Sequence, residues 1–263
     1  MSDGMDIIKV KNEGYGAYEE LLLERDAVRK EGFLWKQEYT RVFGERILQV
    51  FEKKISCIKK KKTIAFCQAA KNRGEPVEQA ALRKYIDAEM KEYNKRLREM
   101  VDENDMANCV HTISRSTLER IKKLYHKLAK VLHPDINPQT EKIPELRRLW
   151  QMVSAAYTAN SLKDLEDAEI LVRRALEKIG MGDMEIEIPD IDKKIAEVRE
   201  EILHMKETNP YQYKFLLEDA EAVEKRKQEL DAEYKEYADY EKTLDAIMEE
   251  LMTSGVSMTW HLN

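Results

Sequence analysis

Long apolar runs are absent from this sequence of 263 residues, and so is the pattern of an export signal. No stretch approaches the roughly 20 consecutive apolar residues that a transmembrane helix requires. Residues 1–16 carry acidic and polar side chains, whereas a signal peptide needs a basic start followed by an apolar run. We therefore expect a cytoplasmic protein that does not associate with membranes.

Cysteine is also scarce. Cys57, Cys67 and Cys109 form an odd set without a C-x-x-C pair, which argues against a disulfide framework and a zinc ribbon. His111 lies close to Cys109, but no further pair of ligands has metal spacing. Nucleophilic triads, glycine-rich phosphate loops and paired catalytic carboxylates are not recognisable either. We expect no metal, no cofactor and no catalytic residue.

Glycine and proline are rare, with nine and six copies, whereas 37% of the residues are charged. Together with the abundance of Glu, Lys, Leu and Ala, this composition favours long solvated helices over sheets. The net charge of -6 argues against a dedicated nucleic-acid binder. The composition therefore predicts an all-α protein.

Apolar residues recur at helical spacing over residues 18–110, and a turn at residues 72–76 divides this region into two antiparallel helices. Residues 186–254 repeat the scheme with a heptad pattern that is typical of a coiled coil. We expect this C-terminal hairpin to pack on the N-terminal one, with tails at residues 1–17 and 255–263. Heptad stripes left exposed would favour a homodimer, but pairing of the first and last helices could use them up.

Residues 114–182 separate the two hairpins. Ser116 with Glu119, and Ser161 with Asp164, have the spacing of capping boxes and so predict helix starts. We expect a small helical head here. The predicted fold is thus all-α, with long antiparallel hairpins that form a coiled-coil-like stalk and a head inserted between them.

The first helix of the head has an apolar side and a basic side. Residues 114–132 carry six Lys or Arg side chains against a single Glu. At helical spacing, Ile121, Tyr125 and Leu128 share one side and face a core. A cationic face in an acidic protein suits an acidic partner. The side chains that we expect to bind this partner are Lys122, Lys123, His126, Lys127 and Lys130.

The tripeptide His133-Pro134-Asp135 follows this helix, and we call it the HPD loop. The helix must end before Pro134, because proline disfavours helical geometry in the preceding residue and lacks an N–H donor. We expect a tight, rigid loop. A second helix, with Pro144 near its start, should return antiparallel to the first.

These features resemble the J-domain family, the partners of Hsp70 chaperones. The resemblance covers residues 117–165 and rests on the Ile-Lys-Lys-Leu-Tyr-His-Lys-Leu-Ala-Lys sequence that runs from residue 121 towards the HPD loop. The residues that stand at core positions of the family pattern are Ile121, Tyr125, Leu128, Ala129, Trp150, Val153, Ala156 and Tyr157.

The resemblance implies that the basic helix docks on the nucleotide-binding domain of an Hsp70, while the HPD loop reaches its interface with the interdomain linker. ATP hydrolysis then occurs in the partner, so this chain is expected to be a co-chaperone or adaptor and not an enzyme. Asp135 would pair with an arginine, Pro134 would hold the shape of the loop, and His133 would add packing and a polar contact. A client or partner is expected on the coiled coil.

Two departures from the family pattern support a second hypothesis. The first short helix of the family has no match upstream of Ser114, and the connection between Asp135 and Trp150 is longer than in typical members. Under this hypothesis, the head braces a structural coiled-coil protein and does not engage Hsp70. A third hypothesis, nucleic-acid association, rests on the run Lys59–Lys62, although such a run on a long helix is usually a solvated face.

Overall fold

The computed structural model describes residues 9–10, 14–109, 114–179, 185–186, 188–253 and 258–259. In chain order, its elements are β1 (Lys9–Val10), α1 (Tyr15–Arg73), β2 (Val77–Glu78), α2 (Gln79–Cys109), α3 (Arg115–Leu132), α4 (Gln139–Lys142), α5 (Pro144–Thr158), α6 (Leu162–Ile179), β3 (Glu185–Ile186), α7 (Ile191–Glu207), α8 (Tyr213–Glu218), α9 (Ala220–Thr253) and β4 (Met258–Thr259). The all-α prediction is confirmed. Within the described residues, strands occur only as two parallel two-residue pairs, β1 with β3 and β2 with β4.

The residues at the helix ends explain where the helices stop and start, including one break that was not predicted. α1 ends before Gly74, whose φ of 70° is left-handed and whose N–H bonds to the carbonyl of Lys71. The last helix of the predicted C-terminal hairpin is interrupted, because the side chain of Asp219 accepts the N–H groups of Glu221 and Ala222 and so starts α9.

The chain divides into two compact units. The first unit contains residues 1–35 and 111–212, and the second contains residues 36–110 and 213–263. The boundary between residues 35 and 36 falls inside α1, so each unit uses a different part of this helix.

The first unit has two apolar clusters. In one, α3, α5 and α6 pack on one another around fully buried side chains such as Leu128 and Val153, and α1 contributes Leu23. In the other, Leu22 and Val28 of α1 pack with the apolar side of α7. α7 runs parallel to α1 in this unit, since Gly14 lies beside Ile191 and Glu24 pairs with Lys206.

The second unit packs α2 and α9 on the remainder of α1. α2 is antiparallel to α1, because Lys36 pairs with Glu103 while Lys62 pairs with Glu89. α9 runs parallel to α1, as the ion pairs of Arg46 with Asp231 and of Lys60 with Asp245 show. In this unit, the second part of α1 and α9 therefore lie side by side.

This division differs from the predicted domains. The predicted head, residues 114–182, belongs to the first unit, but that unit also includes residues 1–35 and α7. The predicted C-terminal hairpin of residues 186–254 is split, because α7 lies in the first unit and α9 in the second. A heptad pattern places an apolar stripe on a helix but does not specify which helix packs against it. α7 and α9 each pack against a different part of α1. Parts of both predicted tails lie outside the described residues.

Candidate functional site

The HPD loop is fixed by hydrogen bonds at the end of α3. α3 ends at Leu132, as Pro134 requires, and His133 takes an extended conformation while its N–H bonds to the carbonyl of Ala129. The carbonyl of His133 accepts the N–H groups of Ile136 and Asn137. The Asn137 side chain donates to the carbonyl of Val131 at 2.8 Å. The loop is therefore tight, as predicted.

The start of α3 differs from the prediction. Ser114, and not Ser116, is the N-cap, since its hydroxyl accepts the N–H of Thr117 at 3.2 Å. The predicted second cap is present, because Ser161 accepts the N–H of Asp164 at 3.3 Å. The short helix α4 before α5 was not predicted from the sequence.

The eight residues of the family-like core pattern come together. Seven of them are buried in the cluster of α3, α5 and α6, and Trp150 is partly buried against it. Tyr125 stacks on Tyr157 with ring centroids 3.7 Å apart, and His133 meets Trp150 edge-on at 4.8 Å. Because these contacts advance along α3 while they recede along α5, the two helices are antiparallel, as predicted.

A carboxylate of α1 lies beneath the HPD loop. Asp26 is only 9% exposed, and its Oδ2 accepts the hydroxyl proton of Tyr125 at 2.5 Å. The same oxygen lies 3.6 Å from Nε2 of His133. Burial, reinforced by the charge of Asp26, raises the pKa of Tyr125 and keeps the hydroxyl protonated as a donor. Asp26 thus links α1 to both α3 and the HPD loop.

His133 is a buried part of this arrangement. It is only 5% exposed, and burial lowers the pKa of its imidazole. Its Nδ1 accepts the N–H of Asp135 at 3.1 Å, and its Nε2 faces both Asp26 and the guanidinium of Arg25. His133 therefore shapes the loop from within, through its edge-on contact with Trp150 and its bond to the backbone of Asp135.

Arg25, the neighbour of Asp26 on α1, binds the exposed end of the HPD loop. Both terminal nitrogens of Arg25 lie 3.3 Å from Oδ2 of Asp135, and Nη2 lies 3.3 Å from Nε2 of His133. Arg25 also contacts Asp26 at 3.5 Å and Glu201 of α7 at 3.7 Å. Asp135 itself is 45% exposed. The carboxylate that was expected to pair with a partner's arginine is thus paired within the chain.

The five basic residues predicted to bind a partner differ in their surroundings. Lys122 and Lys123 are exposed. Lys127 pairs with Glu169 at 3.1 Å, and Lys130 pairs with Glu19 of α1 at 2.7 Å. His126 is half-buried, and burial followed by the charge of Lys122 lowers its pKa. Lys122 and Lys123 are thus exposed, while acids of the chain pair with Lys127 and Lys130, nearer the HPD loop.

A cavity of about 520 Å³ opens beside the HPD loop. Aromatic side chains of Phe33, Trp150 and Tyr157 line it together with Lys30. The Lys30 ammonium donates to the carbonyl of Tyr157 at 2.9 Å and lies 3.6 Å from the centroid of its ring. Burial lowers the pKa of Lys30 to about 8. The cavity therefore joins an aromatic wall to an amine whose charged form is disfavoured by burial.

The other sequence candidates are placed in the second unit. In the lysine run, Lys60 pairs with Glu241 and Asp245, and Lys62 pairs with Glu89, which are contacts of a helix surface. Cys57 and Cys67 are buried free thiols. No cluster of three or more metal-ligating acidic, His or Cys side chains occurs among the described residues, and His111 lies outside them.

Arg25 and Asp26 were missed by sequence reasoning. The signal for Asp26 was its position four residues after Leu22 and three after Leu23, both buried, which places a carboxylate on the apolar side of an amphipathic helix. A charge at such a position needs a buried partner. Nothing in the sequence indicates that the partner is Tyr125.

None of the helices in the described part of the chain is long and apolar enough to cross a membrane. Comparison of the sequence with protein-family models and with curated proteins finds no match, and comparison of the structure with solved structures finds none either.

Proposed function

We propose that this protein is an Hsp70 co-chaperone or adaptor that docks through α3 and the HPD loop and stimulates ATP hydrolysis by its partner. The second unit, built on α1, α2 and α9, would bind a client or a further partner. The chain itself carries out no catalysis in this proposal.

The observation that carries the proposal is the register of the HPD loop on its helices. The loop follows a basic helix whose apolar side, including Tyr125 and Leu128, packs on the antiparallel helix α5 through Ala156 and Tyr157. An isolated His-Pro-Asp sequence would be weak support, because short tripeptides recur by chance. The combination of loop, basic face and helix pair is much more specific.

Charge supports the same interface. Lys122 and Lys123 are exposed on α3, and the carboxylate of Asp135 reaches the surface at its end. A cationic face favours association with an acidic surface and increases the rate of encounter at low salt. A carboxylate beside it can pair with a guanidinium of the partner.

The proposal is tested by measuring ATP hydrolysis of a cognate Hsp70 in the presence of the wild type, Asp135→Asn and His133→Gln. Asp167→Asn is the matched control, since Asp167 is an exposed carboxylate on α6 and has no contact with the loop among the described interactions. We expect the wild type and the control to stimulate hydrolysis, and both loop variants to lose stimulation. Equal stimulation by all four proteins would contradict the docking role.

The contacts of the HPD loop with α1 favour a second candidate function, that of a structural brace. Asp26 and Arg25 hold His133 and Asp135 within the first unit, which is what a loop with a purely internal role would need. For this candidate, the chain should show no salt-sensitive affinity for Hsp70 when binding is measured at about 50 and 200 mM salt. The co-chaperone should show affinity that weakens with salt.

A further inference from the structure

We infer that Arg25 is a built-in competitor for Asp135, so that α1 holds the HPD loop in a state of reduced affinity for its partner. This inference rests on the proposed function. An arginine of this chain already pairs with the carboxylate that an arginine of Hsp70 would need, so the incoming guanidinium must displace Arg25 or approach a like charge.

The geometry of the contact suits a competitor. Both terminal nitrogens of Arg25 converge on one oxygen of Asp135, at 3.3 Å each, so the whole guanidinium lies against this carboxylate. Distances of this size are longer than those of the strongest charge-assisted hydrogen bonds, which lie near 2.8 Å. The contact therefore occupies Asp135 without locking it.

Arg25 can release Asp135 without leaving its own charge unpaired. Asp26 lies 3.5 Å away and Glu201 of α7 lies 3.7 Å away, so two carboxylates remain beside the guanidinium after release. Removing one partner of a buried pair is destabilising mainly when the remaining charge has no compensation. Arg25 keeps such compensation, because Asp26 and Glu201 remain beside it.

The change can be confined to side chains. The backbone of α1 on either side of Arg25 is anchored by buried residues, with Leu22 and Leu23 before it and Val28 after it. His133 also keeps its own contacts with Asp26 and Trp150 when Asp135 is released. Only the exposed carboxylate of Asp135 must change partner, while the rest of the loop keeps its conformation.

The test compares Arg25→Gln with Arg29→Gln, one turn away. Arg29 is a matched control because it also pairs with Asp26, at 3.8 Å, and with Glu201, at 2.9 Å, and it has no contact with Asp135 among the described interactions. The measured quantity is the concentration of the full chain that gives half-maximal stimulation of Hsp70 ATP hydrolysis. We expect R25Q to lower it by about 5- to 30-fold and R29Q to leave it within about twofold.

A second variant, for which the opposite effect is expected, distinguishes a change at Asp135 from a folding defect in R25Q. Glu201→Gln removes one carboxylate that draws Arg25 away from Asp135, and Glu201 is 43% exposed. We expect E201Q to raise the half-stimulating concentration by about two- to threefold, in the range of a surface ion pair. Opposite shifts from R25Q and E201Q cannot both come from loss of folding.

The outcomes separate this inference from the proposed function. If the wild type stimulates Hsp70, Asp135→Asn does not, and R25Q has the potency of the wild type or less, the competitor role is overturned while the co-chaperone proposal stands. If neither the wild type nor R25Q stimulates Hsp70 at any concentration, both are overturned. A gain of potency in R25Q that is lost again on addition of Asp135→Asn supports both.

Discussion

Asp26 is a carboxylate on the apolar side of α1, and its neighbours explain why a charge is tolerated there. The Tyr125 hydroxyl donates to it, while Arg25 and Arg29 approach its other oxygen at 3.5 and 3.8 Å. Buried charges persist when they are paired and hydrogen-bonded. The position of a charge within an apolar stripe can be identified from the sequence, but its hydrogen-bond donor Tyr125 lies 99 residues away along the chain and depends on the fold.

Loss of the Tyr125 hydroxyl should destabilise the first unit. Tyr125→Phe removes the hydrogen bond to the buried carboxylate of Asp26 and keeps the ring stacked on Tyr157. Hydrogen bonds to charged groups contribute about 1.5–3 kcal/mol, so we expect a decrease of that size in the free energy of unfolding, measured with urea. Tyr240→Phe is the control, because Tyr240 is 40% exposed and should change stability by less than about 0.5 kcal/mol. Equal effects of the two substitutions would contradict a structural role for this bond.

Stability should fall as the pH decreases through the titration range of histidine. Burial lowers the pKa of His133 in the folded chain, whereas the unfolded chain titrates near the ordinary value of about 6.5. The unfolded state therefore binds more protons below that pH, and the free energy of unfolding decreases there. His126, whose pKa burial also lowers, acts in the same direction.

The measurement is the free energy of unfolding at several values between about pH 7.5 and 5.5, above the range in which most carboxylates titrate. We expect a smaller slope with pH in His133→Gln than in the wild type, and the smallest slope when His126→Gln is added. His204→Gln serves as the control. An unchanged slope in the double variant would show that His133 is not buried in its neutral form.

At the scale of the helix, α3 shows which local features of a sequence are decisive. Its end could be predicted because Pro134 disfavours helical geometry in the preceding residue and lacks an N–H donor. Its start could not, since Ser114 and Ser116 are both suitable N-caps and differ only in the backbone conformation that precedes the helix. The short α4 was missed because four residues carry too little periodicity to be recognised.

The two serines can be distinguished by substitution. Ser114→Ala removes the acceptor for the N–H of Thr117 and should decrease the free energy of unfolding by about 1 kcal/mol. Ser116→Ala should have an effect below about 0.5 kcal/mol, because Ser116 lies within the first turn of the helix. Thermal unfolding followed by circular dichroism measures both. A larger effect at Ser116 would restore the capping box predicted from the sequence.

At the scale of the whole chain, the helical class could be predicted from composition, but the grouping of helices could not. The long helices carry apolar stripes, but the sequence does not specify which stripes pack against each other. α7 and α9 were expected to pair with each other, yet each packs on its own part of α1. This choice depends on the complementarity of side chains at each contact, which periodicity does not describe.

The first unit should therefore be incomplete without its N-terminal part. An excised segment of residues 114–179 lacks Leu23, which belongs to its apolar cluster, and Asp26, the acceptor for Tyr125. We expect a synthetic peptide of residues 14–35 to raise the unfolding midpoint of this segment, by about 4–8 °C for each kcal/mol of stabilisation.

The control peptide carries Leu23→Ala and Asp26→Ala, which removes both contributions at once. We expect it to leave the midpoint of the excised segment unchanged. A segment that is equally stable alone, with the peptide and with the control would contradict the assignment of residues 14–35 to this unit.

The distance of 110 positions between Arg25 and Asp135 also has a consequence during synthesis. At about 5–20 residues per second, the ribosome releases the first part of α1 roughly 5–20 s before the HPD loop. For that interval, the apolar side chains of Leu22 and Leu23 have none of the helices α3, α5 and α7 to cover them. A nascent chain of this protein thus displays, for that interval, apolar surface of the kind that chaperones recognise.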